Sequence, residues 1–150
     1  MNQDLRELYQ DIILEHSKHP RNFGKLAEAN RQARGNNPLC GDRITLALKL
    51  DGDRIADAKF EAKGCAISVA SASMMTEMVK GKTTDEARAL FEQFHGLVTG
   101  KPMNDESDDL DRLAALSGVR DFPSRIKCAT LPWHALTAAL EGTQDEVRTE

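Results

Sequence analysis

The stretch Arg43-Ile-Thr-Leu-Ala-Leu-Lys-Leu-Asp-Gly-Asp-Arg-Ile-Ala-Asp-Ala-Lys-Phe-Glu-Ala62 decides the fold class. Ile44, Leu46, Leu48 and Leu50 alternate with Arg43, Thr45 and Lys49, the period-two pattern of a strand with one buried face. Asp51-Gly52-Asp53 is a hairpin turn signal. The return strand, about Arg54 to Ala62, is expected to put Ala56, Ala58 and Phe60 on one side and Asp57, Lys59 and Glu61 on the other. A two-stranded hairpin is marginal alone, so a third strand from the Leu26–Arg34 region or a packed helix has to complete it.

Downstream of the hairpin the pattern turns helical. Ile67 to Lys80 is rich in Ala, Ser and Met and is closed by Gly81. Its Met74, Met75 and Met78 read as close packing of a buried helix rather than as a soft-metal stripe. Thr83 with Glu86 forms a capping box before a helix whose stripe is Ala87, Leu90, Phe91, Phe94, Leu97 and Val98, stopped at Gly100. A short helix around Leu110–Leu116 ends at Gly118, and a last helical region spans Pro123 to Leu140, with a tail from Glu141 expected to fray. Pro132 cannot donate to the Cys128 carbonyl, so that region either kinks or divides in two. Upstream, Leu5, Leu8, Tyr9, Ile12 and Ile13 lie on one face of an amphipathic helix that Asp4 and Glu7 open and His19-Pro20 ends. The predicted class is α+β: a small antiparallel sheet of about three strands packed against several helices, in one domain over residues 1–150.

Charge and composition narrow the function. The 150 residues carry 20 Lys+Arg against 24 Asp+Glu, and 40% are hydrophobic, an ordinary globular balance. The net charge of −4 provides no broad basic field, so no nucleic-acid partner is expected. The longest uncharged stretch, Gly64 to Thr76, falls short of the ~18 apolar residues of a membrane span, so no membrane partner is expected either. Met1-Asn-Gln-Asp-Leu-Arg6 lacks the pattern of a signal peptide, and a cytoplasmic location is expected. Much of the acidity sits in Asp105, Glu106, Asp108, Asp109 and Asp111. These read as a solvated loop, with docking onto a basic patch of a partner as the alternative.

Three cysteines, at 40, 65 and 128, cannot pair off among themselves, and none forms a C-x-x-C motif. Their positions are nonetheless suggestive. Cys40 ends an irregular loop, Cys65 stands between Gly64 and a helix start, and Cys128 lies near Arg125 and Lys127. Helix starts and cationic neighbours favour thiolates. Cys40 and Asp42, two apart in extended backbone, point the same way, and Gly41 tolerates the dihedrals this requires. Three thiolates and a carboxylate suit tetrahedral zinc. A turn-capping role is the alternative for Asp42. His16, His19, His95 and His134 compete as fourth ligand, but none stands beside a cysteine.

The runs Asn36-Asn-Pro-Leu-Cys-Gly-Asp42, Phe60-Glu-Ala-Lys-Gly-Cys-Ala-Ile-Ser68 with Ala70-Ser-Ala-Ser-Met-Met-Thr76, and Arg125-Ile-Lys-Cys-Ala-Thr-Leu131 resemble the IscU/NifU-N family. Leu8-Tyr9 and His19-Pro-Arg-Asn22 extend the resemblance over roughly residues 5–140. Scaffold-type members carry a histidine immediately before the third cysteine, where this chain has Lys127. That departure, with an extra acidic segment at Thr99–Ser117, points to the SufU branch. The resemblance implies an IscU-like fold and a single Zn²⁺ held by Cys40, Asp42, Cys65 and Cys128. It also implies that Cys40 accepts persulfide sulfur from a SufS-type cysteine desulfurase and passes it to a downstream iron–sulfur scaffold, a zinc-dependent sulfurtransferase role. Arg125 then orients the persulfide, stays near Asp42, or is a plain surface charge. The alternative is a scaffold that binds iron or assembles a [2Fe–2S] cluster on the same ligands.

Overall fold

The computed structural model, which describes residues 3–38, 41–99, 113–142 and 147–148, builds the hairpin from β2 (Asp42–Asp51) and β3 (Arg54–Lys63). They pair antiparallel, with Leu46 opposite Phe60 and Leu48 opposite Ala58, and these four side chains are buried. Ala56 departs from the expected pattern. The register slips after Lys49, so Lys49 faces Asp57 while Leu50 faces Ile55. Ala56 is thus the extra residue of a bulge, and Ile55 turns into the core in its place.

The third strand, β1 (Arg31–Asn37), pairs antiparallel with β2. It begins within the anticipated region but runs on to Asn37. Arg-Gln-Ala-Arg-Gly-Asn-Asn carries little intrinsic strand preference, so its extent is set by what it packs on. A Cβ at Gly35 would stand 2.9 Å from Leu131 Cδ1 and 3.0 Å from Ile44 Cγ2, which shows how closely a helix crosses this strand. Val147–Arg148, in the stretch expected to fray, form a two-residue β4 parallel to Gly35–Asn36. The sheet order is β3-β2-β1-β4.

The helices are α1 (Gln3–Lys18), α2 (Ala66–Val79), α3 (Thr84–Thr99) and α4 (Pro123–Glu141), with a 3₁₀ helix at Ala114–Asp121. Helix α1 already includes Asp4, which was expected to open it, and the 3₁₀ helix runs past Gly118. Helix α2 is buried on nearly every side, its three methionines included, as close packing requires. Ser71 Oγ donates to the Ala129 carbonyl (2.5 Å) and accepts from Trp133 Nε1 (3.1 Å), tying α2 to α4. The Thr83–Glu86 capping box forms reciprocally, at 3.0 and 3.1 Å. Helix α4 is continuous through a buried Pro132 rather than two helices, and Gly142 caps it in the left-handed conformation. Leu113, Ala115 and Leu116, inside the segment read as an insertion, belong to the core. Gly100 and the acidic run at 105–111 lie outside the described residues. No helix among the described residues is long and apolar enough to cross a membrane.

One polar contact fixes α1 on α2. His16 Nδ1 lies 2.7 Å from Ser73 Oγ, which also accepts the Arg21 backbone N–H at 2.8 Å. The Ser73 hydroxyl proton is therefore free to point at a neutral Nδ1. Burial, reinforced by nearby Arg21, lowers the His16 pKa. Because the folded-state pKa lies below the unfolded one, the unfolded chain takes up this proton first. The neutral contact contributes fully above about pH 6.5 and is lost as pH falls from there through the folded pKa. His134, also lowered by burial, acts in the same direction. Urea midpoints are expected to fall between about pH 7 and pH 5, and to fall less in His16→Gln.

Candidate metal centre

The site forms where the hairpin ends. Asn37 and Asp42 face each other across β1 and β2, and both side chains are 0% exposed. β3 finishes at Lys63, and Gly64 turns the chain with φ +144° into Cys65, which caps α2 with extended backbone. The Cys65 N–H donates to Asp42 Oδ1 at 2.8 Å. Cys128, fully buried, enters from α4. One ligand atom from each of Asp42, Cys65 and Cys128 falls within 4.8 Å of the others.

The hydrogen bonds assign the two carboxylate oxygens different work. Oδ1 is taken by the Cys65 amide, whereas Oδ2 faces the thiols, 3.9 Å from Cys65 Sγ. Asn37 Nδ2 reaches both Asp42 Oδ2 (3.4 Å) and Cys128 Sγ (3.5 Å). Asp42 thus offers the cluster a single oxygen.

A cation fits this donor set. Adjacent S and O ligands of a tetrahedral zinc stand roughly 3.6 Å apart, close to the observed sulfur–oxygen separation. Two N–H donors reach the buried Asp42 carboxylate, one from the Cys65 backbone and one from the Asn37 side chain. Burying a carboxylate without a counter-ion is costly, and a bound cation removes that cost. The backbone is shaped to the same end, because a Cβ at Gly64 would stand 2.2 Å from Asp42 Oδ1.

Of the residues singled out from sequence, three converge: Asp42, Cys65 and Cys128. Cys40 lies outside the described residues. Arg125 is exposed in the first turn of α4 and forms no ion pair with Asp42 among the described residues. No histidine joins the described cluster. His16 is bonded to Ser73, and the His134 ring packs edge-on to Phe91 at 5.1 Å. Asn37 and Gly64 also belong to the site, although sequence reasoning does not single them out. Both stand in the motif runs, Gly64 directly before Cys65, but neither residue type is a usual metal ligand.

Known proteins match the chain over most of its length. The model of the NifU-like N terminal domain matches residues 8–141. The zinc-dependent sulfurtransferase SufU of Bacillus subtilis (strain 168) is 51% identical over 135 residues, which is 90% of this chain and 90% of that protein. The iron–sulfur cluster assembly scaffold protein IscU of Streptococcus pyogenes serotype M1 is 44% identical over 137 residues, 91% of this chain and 85% of its own. A crystal structure of a candidate iron–sulfur cluster assembly scaffold for the SUF system, from Fervidobacterium islandicum AW-1, aligns with a TM-score of 0.82 at 37% identity. It covers 90% of this chain and 98% of that one.

Proposed function

The chain belongs to the NifU-like N-terminal domain family, and from that premise we propose that it is a zinc-dependent sulfur-transfer protein of iron–sulfur cluster assembly. The observation that carries this reading is the trio of buried Asp42, half-buried Cys65 and buried Cys128, with donor atoms within 4.8 Å of one another. Cys40, two residues before Asp42, is the fourth ligand in this proposal. A zinc ion bound there holds thiols deprotonated at neutral pH and helps secure the fold.

Cys40 is also the nucleophile. Its thiolate attacks the outer sulfur of a persulfide carried by a cysteine desulfurase, of the SufS type in this proposal. The S–S bond of the donor breaks, the donor cysteine leaves as a thiolate, and a new S–S bond forms on Cys40. The exchange consumes no external oxidant or reductant. A downstream iron–sulfur scaffold receives the sulfur. Arg125, exposed in the first turn of α4, is available to orient the persulfide anion. The reaction is placed in the cytoplasm.

Metal analysis of protein purified without chelator is expected to give about one zinc per chain; iron or no metal contradicts the reading. Cys40→Ala is expected to abolish stimulation of the desulfurase. Intact stimulation would make the zinc purely structural. The relatives named as scaffolds favour the alternative of [2Fe–2S] assembly on these ligands. Anaerobic reconstitution separates the two, since a stable cluster at stoichiometric yield would overturn sulfur transfer as the primary role.

A further inference from the structure

We infer that Asn37 is a positioning residue of the metal centre, whose side-chain amide holds Asp42 and Cys128 in ligating orientation and draws charge from the Cys128 sulfur. The inference rests on the metal-site reading above and extends it to a residue that is not itself a ligand.

Three observations carry it. Asn37 Nδ2 lies within hydrogen-bonding distance of both Asp42 Oδ2 and Cys128 Sγ, at 3.4 and 3.5 Å. One amide nitrogen carries two protons, so each acceptor can receive its own. The residue is 0% exposed, and its Oδ1 has no hydrogen-bond partner among the described residues. A buried acceptor left so carries a desolvation cost that something else in the site must offset. Flipping the amide would bring Oδ1 against a carboxylate and a sulfur, exchanging two attractive contacts for two repulsive ones. The orphaned oxygen is therefore the consequence of committing both donors to the site. Finally, Asn37 stands opposite Asp42 in the last register pair of β1 and β2, so strand pairing fixes the distance across which the amide works.

The arrangement has a chemical consequence. Asp42 Oδ1 is bonded to the Cys65 amide, leaving Oδ2 as the oxygen that faces the thiols and would be offered to a metal. Asn37 bonds that same oxygen and thereby locks the carboxylate plane. An N–H···S bond also withdraws electron density from a thiolate and so would lower its donor level, an effect smaller than the loss of ligand orientation on removing the amide. Partners of this kind, bonded to ligands rather than to the metal, typically alter metal affinity by about 10–100-fold.

The test uses the full-length protein. Asn37→Leu keeps the number and branching of side-chain heavy atoms and removes the donors; Asn37→Ala removes the donors and the branch together. Competition with a chromophoric chelator is expected to show zinc affinity lowered by about 10–100-fold in each. In the Co²⁺-loaded protein the sulfur-to-cobalt charge-transfer band is expected to move to longer wavelength, a shift that looser packing alone would not give. Affinity within about twofold of the wild type, with an unmoved band, overturns the inference. If both variants fail to fold, the wild type still decides. With ¹⁵N label and ¹¹³Cd²⁺, the Asn37 side-chain amide protons are expected to couple to cadmium through Cys128, and absent coupling overturns the inference. Failure of the wild type to bind zinc would instead defeat the metal-site reading itself.

Discussion

Gly64→Ala is expected to abolish metal binding and to destabilise the fold by at least about 3 kcal/mol. Two independent costs combine at this position. The backbone there has φ +144°, a conformation that residues with a side chain rarely adopt. The added Cβ would also meet Asp42 at 2.2 Å from Oδ1 and 2.8 Å from Cα. The second contact is the more severe, because a backbone atom cannot swing aside as a side-chain end can. Relief requires β3 to part from β2 or the Asp42 carboxylate to turn away from Cys65. Either movement breaks the 2.8 Å bond from the Cys65 amide that places Oδ2 toward the thiols. Zinc content after purification and the urea midpoint should therefore fall together. A variant that keeps both would show the close approach of β3 to Asp42 to be dispensable.

Trp133→Ala carries the largest expected loss of stability in the core, about 3–5 kcal/mol. The indole is fully buried. Its ring stacks on Phe94 at a 4.9 Å centroid separation and on Phe91 at 6.0 Å. Its Nε1–H donates to Ser71 Oγ, the hydroxyl that in turn bonds the Ala129 carbonyl. Removing it opens a cavity between α3 and α4 and takes a hydrogen bond from the contact between α2 and α4. Cys65 precedes α2 and Cys128 lies in α4, so the two thiols are positioned by the helices that this ring joins. Trp133→Phe, which keeps the stacking and loses only the donor, is expected to cost about 1–2 kcal/mol. Equal losses in the two variants, read from urea unfolding, would remove the stacking from this explanation.

Much of this architecture was legible in the sequence. Alternation fixed β2 and the facing of Phe60 and Ala58, and Thr83 with Glu86 marked the start of α3. Local patterns failed where tertiary contacts decide. Nothing in the alternation of 54–62 marks the bulge at Ala56, which exchanges Ala56 for Ile55 in the core. β1 is polar along most of its length, and its extent depends on β2 beside it and α4 across it. Pro132 disfavours an unbroken helix locally, yet burial of Leu131, Trp133, Ala135 and Leu136 around it sustains α4 as one element.

The candidate site divides in the same way. Asp42, Cys65 and Cys128 are recognisable because their residue types are metal donors and their surrounding runs resemble a family. Asn37 and Gly64 act through distance, one by bridging two donors and the other by leaving room for a carboxylate. Such roles appear only once strand register is known. Arg125, for which the sequence leaves open an orienting role, a place near Asp42 or a plain surface charge, stands exposed on the first turn of α4.

Mass spectrometry of the Cys40 peptide tests the sulfur-transfer reading most directly. The zinc-loaded protein is incubated with a cysteine desulfurase and cysteine, alkylated without reductant, and digested. One additional sulfur atom on the peptide containing Cys40, absent when cysteine is omitted and absent from the peptides of Cys65 and Cys128, is the predicted result. An unmodified Cys40 beside an active desulfurase, or sulfur carried on Cys65 or Cys128 instead, would contradict it.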